Sequence, residues 1–150
     1  MNLLEGVVSF TGIAVWTGLA VLGVFKIRSW LLSRSYEDLE GRWVVVTGCD
    51  SGLGRGVVEA LLARRASVIA CCLSDAGASE ALASGAALAP ALDLTDDSAV
   101  QCLARDVEEQ TGGSLWGLVH CAGIALPGFI DYQPVGFYRE TMAINFFAPV

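Results

Sequence analysis

Nineteen consecutive residues, Val7 to Phe25 (VVSFTGIAVWTGLAVLGVF), carry no charged side chain, about the length a helix needs to cross a ~30 Å hydrocarbon layer. The run predicts one membrane span. Glu5 precedes it instead of Lys or Arg, the apolar stretch is long, and no A-x-A-like site follows, so an uncleaved anchor over 1–34 is expected, not a signal peptide. Ala14 and Gly18 have the small-x-x-x-small spacing of helix-packing faces, a spacing also common by chance in apolar helices.

Past a short polar linker at 35–42 the pattern changes. Trp43–Thr47 is a β-rich run, and Leu53–Arg65 repeats apolar residues at helical spacing (Val57, Val58, Ala60, Leu61, Leu62). Ser67–Leu73 is an unbroken apolar run of strand length, followed by a small-residue helix near Ala76–Ala83 and a strand around Ala86–Leu92. Val100, Leu103 and Val107 recur at helical spacing within Ser98–Glu109, behind the acids Asp96 and Asp97 that suit a helix start. Leu115–His120 is a fourth strand, Cys121–Gly123 a turn, Pro127–Pro134 a loop and Val135–Val150 an amphipathic helix. Strand alternating with helix predicts an α/β Rossmann-type doubly wound parallel sheet of about four strands, with ligands at the carboxyl ends of those strands. This dinucleotide-binding domain, 43–150, reads as incomplete at its C-terminal end.

Charge narrows the partners. A net charge of −7 with no basic stripe outside the juxtamembrane segment argues against nucleic acid. Lys26, Arg28 and Arg34 follow the apolar span and only Glu5 precedes it, so the positive-inside rule places the domain on the cytosolic face. The five cysteines (Cys49, Cys71, Cys72, Cys102, Cys121) are odd in number and lack C-x-x-C spacing, as reduced thiols in a core would be.

Candidate chemistry centres on Thr47-Gly48-Cys49-Asp50-Ser51-Gly52-Leu53-Gly54, a T-G-x-x-x-G-x-G pattern between a strand and a helix. A dinucleotide pyrophosphate sits against a helix N-terminus only where the chain turns tightly and its backbone comes close, and Cβ atoms block both. NAD sites place a carboxylate about twenty residues past the glycines, and NADP sites a base. Cys71–Asp75 holds no base, which favours NAD over NADP. Asp75 is the candidate ribose ligand, or an idle loop acid.

The block at 47–54, together with D-L-T at Asp93–Thr95, L-W-G-L-V-H-C-A-G at Leu115–Gly123 and I-N-F-F at Ile144–Phe147, resembles the short-chain dehydrogenases/reductases. The wording is most similar to the membrane-associated branch of retinol, hydroxysteroid and 3-hydroxybutyrate dehydrogenases. The resemblance implies that Gly48, Ser51, Gly52, Leu53 and Gly54 cradle the pyrophosphate. It implies that Asp93 bonds the adenine amine with Leu94 beside the ring, and that Ala122 and Gly123 let the backbone approach the ribose. Asn145 matches the family's auxiliary catalytic asparagine, which holds a helix kink and a water on the proton path.

Two departures stand out. His120 and Cys121 replace two asparagines, and His120 is expected to be a hydrogen-bonded structural residue. No Tyr-x-x-x-Lys occurs: Tyr36, Tyr132 and Tyr138 lack a lysine four residues on, and Lys26 is the only lysine. In the family that tyrosine is the acid/base, activated by the lysine and oriented with a serine on a strand that would follow Val150.

The expectation is the N-terminal part of a single-pass, endoplasmic-reticulum membrane-anchored oxidoreductase. It would bind NAD, act on a lipophilic alcohol or ketone of the retinoid or steroid class, and be compatible with a homo-oligomer. The alternative is a truncated, non-catalytic membrane protein that at most binds a nucleotide or a full-length relative.

Overall fold

The structure, a computed structural model, describes residues 15–16, 21–30, 39–125 and 127–150. The chain divides into two units, Met1–Asp38 and Leu39–Val150. In the first, residues 15–16 and 21–30 are helical, and Leu22, Phe25 and Trp30 are exposed. Most of the expected span, 7–14 and 17–20, lies outside the described residues, as does 31–38. Among the described residues no helix is long and apolar enough to cross a membrane.

The second unit is built on three parallel strands, β1 (Trp43–Thr47), β2 (Ser67–Cys71) and β3 (Leu115–His120), in the order β2-β1-β3. Val45 stands opposite Ile69 on one side and Leu118 on the other. β-Branched side chains pack well on a pleated surface covered on both faces, and Val44, Val46, Val68 and Ile69 are almost wholly buried.

Alternation along β1 and β2 sorts them into two cores. Val44, Val46, Val68 and Ala70 join Val58 and Leu61 of α1 (Gly52–Leu62) and Ala78 and Ala81 of α2 (Asp75–Ala83). Val45, Ile69 and Cys71 face the opposite way, onto Val107 of α3 (Asp97–Thr111). Helices therefore cover both faces of the sheet at β1 and β2, while most of β3 is exposed. α3 starts on Asp96, whose carboxylate accepts N–H bonds from Ser98 (2.8 Å) and Ala99 (3.4 Å), and it ends on Gly112 in the left-handed region, where glycine carries no Cβ penalty.

Among the described residues three strands are present, against an expectation of about four. Residues 86–92 do lie along the outer edge of β2: Ala87 N–H donates to Val68 O, Ala70 N–H to Leu88 O, Cys72 N–H to Pro90 O and Leu92 N–H to Cys72 O, at 2.8 to 3.0 Å. The alternation puts position 90 where an N–H would meet the Ala70 carbonyl. Proline has none. The ladder breaks into two isolated bridges, Ile69 with Leu88 and Cys72 with Ala91.

The last predicted helix also divides. α4 runs over Val135–Met142 and passes into a π-helical turn at Ala143–Phe147, in which Ala148 N–H bonds the Ala143 carbonyl at 2.9 Å.

Candidate functional site

The carboxyl ends of the three strands open onto one groove, a cavity of about 490 Å³. Its walls are the glycine turn (Gly48, Asp50, Ser51, Leu53), the segment leaving β2 (Cys71–Ser74), Leu92–Leu94, and Cys121–Ile124 with Ile144. Of the expected site residues, Gly48, Ser51, Leu53, Asp93, Leu94, Ala122 and Gly123 line it. Gly52 and Gly54 belong to the same turn, whereas Asp75 does not line it.

Each glycine of the turn has a different duty. Gly48 has φ +70°, and a Cβ there would lie 2.6 Å from both N and Cα of Ala122; its absence lets the turn press against the chain leaving β3. Thr47, buried beside it, accepts the Ala122 N–H on its hydroxyl at 3.3 Å. A Cβ on Gly54 would overlap the Gly48 carbonyl, so that glycine seats α1 against the turn. Gly52 has φ +58° and faces open space, with nothing within 4 Å of where a Cβ would stand. Ser51 caps α1 without a side-chain hydrogen bond, which leaves that helix end for an anion.

Asp50 is a site residue that the sequence pattern does not single out. Its Oδ2 accepts the Leu73 N–H at 2.7 Å, and its Oδ1 accepts the Ser74 N–H at 3.0 Å and the Ser74 hydroxyl at 2.6 Å. Partial burial pushes its carboxyl up, but the bonds from the Ser74 hydroxyl and the Leu73 and Ser74 N–H groups outweigh it and hold the carboxyl below the usual carboxylate range. Ser74 in turn accepts the Gly77 N–H at 3.0 Å and so caps α2. The guanidinium of Arg55 bonds the Asp50 carbonyl and pairs with Glu80 at 2.5 Å. No periodicity announces such a clamp, because its partners lie 23 and 24 residues apart.

Beside the end of β2, Asp93 accepts the N–H and the hydroxyl of Thr95 on Oδ1, both at 2.8 Å. Asn145 sits in the π-helical turn and exchanges two bonds with Ile124: Ile124 N–H donates to its Oδ1 and its Nδ2 donates to the Ile124 carbonyl, each at 2.8 Å. It thereby fastens that turn to the segment leaving β3. His120 departs from expectation: it is exposed and makes no side-chain hydrogen bond among the described residues. It ends β3, whose outer positions are uncovered.

The buried thiols Cys49 and Cys71 are unsuited to nucleophilic work. Burial, with the neighbouring cysteines adding to it, pushes Cys49 and Cys71 up to about 12, whereas a reactive cysteine needs the opposite shift. None of the five cysteines is in a disulfide; Cys49, Cys71 and Cys72 are buried as core thiols would be, whereas Cys102 is exposed and Cys121 half-buried.

A family profile described as short chain dehydrogenase matches residues 42–150. The chain belongs to the short-chain dehydrogenase family. It is 33% identical over 137 residues to 17-beta-hydroxysteroid dehydrogenase type 6 of Bos taurus, covering 87% of this chain and 43% of the relative. With retinol dehydrogenase 16 of Homo sapiens it shares 36% identity over 118 residues, 75% of this chain and 37% of the relative. Among solved structures, ligand-free aldohexose dehydrogenase of Thermoplasma acidophilum matches with a TM-score of 0.64 at 27% identity, over 75% of this chain and 42% of that one.

The chain thus spans about two fifths of the length of the curated relatives it matches. These similarities bear out the family and its retinol and hydroxysteroid branch. A nicotinamide dinucleotide is the cofactor that this family and Rossmann-like fold imply.

Proposed function

We propose that the groove binds NAD(H) and forms the cofactor half of an oxidoreductase acting on a lipophilic alcohol or ketone of the retinoid or steroid class. The observation that carries this reading is the cradle itself. Gly52 at positive φ in open space, beside the uncapped start of α1, leaves room that a Cβ would fill. Gly48, Ser51, Gly52, Leu53 and Gly54 would hold the pyrophosphate at that helix end. Asp93 keeps Oδ2 clear of its Thr95 bonds for the adenine amine, with Leu94 beside the ring and Ala122 and Gly123 along the ribose.

Bound NAD would supply the acceptor for the hydride removed from an alcohol carbon. The chain's own contribution is orientation. The Asn145–Ile124 bonds hold the π-helical turn against the groove wall, and apolar Leu53, Ile124 and Ile144 line it. The substrate class comes from the named activities of the relatives.

A second reading, a protein that binds the dinucleotide without turning over alcohol, is favoured by one observation: no tyrosine has a lysine four residues on. Fluorescence titration of the purified chain with NADH tests the shared element of both readings, and saturable binding is expected. Assaying the same material with all-trans-retinol and a 3-hydroxysteroid separates them. The 150-residue chain should show no turnover above a matched blank, because loss of a general acid/base alone removes about 10²–10⁴ of rate.

A further inference from the structure

A Rossmann site reads the 2′ position of the adenosine ribose just beyond the second strand, about twenty residues past the glycines, with a carboxylate for the hydroxyl of NAD or a base for the phosphate of NADP. Asp75, the first acid after β2, opens α2 and does not line the groove. A carboxylate nevertheless stands at the end of β2. It comes from the glycine turn.

We propose that Asp50 is the residue that selects the dinucleotide, admitting the ribose 2′-hydroxyl of NAD(H) and turning away the 2′-phosphate of NADP(H). The inference rests on the dinucleotide reading above. Three observations support it. First, the donors available at the end of β2 are the N–H groups of Leu73 and Ser74 and the Ser74 hydroxyl, and all three already point at Asp50. A phosphate arriving there would find its ligands occupied by an internal anion. Second, an ionised carboxylate offers about four acceptor positions, and these bonds take two on Oδ1 and one on Oδ2. Oδ2 keeps a lone pair for one more donor, which a hydroxyl is and a phosphate dianion is not.

Third, among the described residues no cation lines the groove. The Arg55 guanidinium is committed to Glu80 and the Asp50 carbonyl. Gly77 completes the arrangement, since a Cβ there would come within 2.5 Å of Asp50 Oδ1. The hydrogen bonds that lower the Asp50 carboxyl keep it charged at neutral pH.

The test is fluorescence titration of the full chain with NADH and with NADPH, for the unchanged protein and for Asp50→Asn, Asp50→Ser and Asp75→Asn, each checked for folding by circular dichroism. The unchanged chain should prefer NADH. Asp50→Asn or Asp50→Ser should narrow that preference about tenfold or more, chiefly through tighter NADPH binding, whereas Asp75→Asn should leave it as it was. A folded Asp50 variant with an unchanged preference overturns the inference and leaves NADH binding standing. A shift produced by Asp75→Asn alone overturns it too.

Should both Asp50 variants fail to fold, the unchanged chain decides. Its NADH preference should shrink between about 50 mM and about 500 mM salt as the repulsion is screened, and a flat or rising preference refutes the proposal. Binding of neither dinucleotide refutes the reading of the groove itself and removes the inference with it.

Discussion

Gly48 and Gly52 lie four residues apart in one turn, both at positive φ, yet their substitution should fail in different ways. Alanine at Gly48 must adopt φ near +70°, which costs a residue with a Cβ about 1–2 kcal/mol. Its methyl would also stand 2.6 Å from two backbone atoms of Ala122. Backbone cannot swing aside like a flexible side chain, so the overpacking adds about 1–3 kcal/mol. The sum, roughly 2–5 kcal/mol, is a large part of the 5–15 kcal/mol that holds an ordinary domain together. At Gly52 a methyl meets nothing within 4 Å, so only the backbone cost remains, about 1–2 kcal/mol.

Urea titrations followed by circular dichroism measure this difference. NADH titrations of the same proteins supply the second axis: Gly52→Val should remain folded while losing the dinucleotide, because its branched side chain fills the space left for the pyrophosphate. Gly48→Ala within about 0.5 kcal/mol of the unchanged protein would refute the close-approach argument. Unchanged NADH affinity in Gly52→Val would refute the cradle.

Alkaline pH offers an independent check. Cys49 and Cys71 are raised from 9.0 to about 12 in the fold, so the unfolded chain loses those protons first; stability should be full below pH 9 and fall between pH 9 and 12, and Cys71→Ala should flatten that fall in urea midpoints measured across the range. Asn145→Ala deletes both bonds to the Ile124 backbone and should cost about 1–3 kcal/mol, with amide exchange at Ile124 accelerating; unchanged protection there would count against the clamp. If Val7–Phe25 spans a bilayer, the chain should resist carbonate extraction and lose that resistance when residues 1–34 are removed. Protease added outside sealed microsomes should digest residues after Arg42, and full protection would reverse the orientation.

Much of the sheet is legible in the sequence because its strands are written in β-branched runs: Val44–Val46 and Val68–Ile69 admit few other readings. The glycine turn is legible because its context, strand before and helix after, is local. What escapes is whatever depends on contacts distant in sequence or on a single missing atom. The Asp50 clamp joins residues 23 and 24 positions apart, and nothing in T-G-C-D-S-G says which way the aspartate turns. The apolar character of Ala86–Leu92 predicts a strand, and the one absent N–H of Pro90 overrides it. The π-helical turn leaves no periodic trace, since one i→i+5 bond is enough to make it. His120 was expected to find a partner, but β3 ends with that side chain on an uncovered position.

The interrupted ladder gives one thiol a duty unrelated to reactivity. Where Pro90 offers no N–H, the Ala70 carbonyl is met by Cys72 Sγ at 3.8 Å: a weak sulfur donor stands in for the missing rung. Burial, with the Asp50 and Glu80 charges adding to it, holds the Cys72 thiol above its ordinary pKa, and only the protonated form can donate. Oxidation or alkylation at Cys72 would therefore loosen the wall that carries Asp93 and Leu94 rather than stop a chemical step. The interrupted seam of the sheet thus adjoins the end of the groove assigned to adenine.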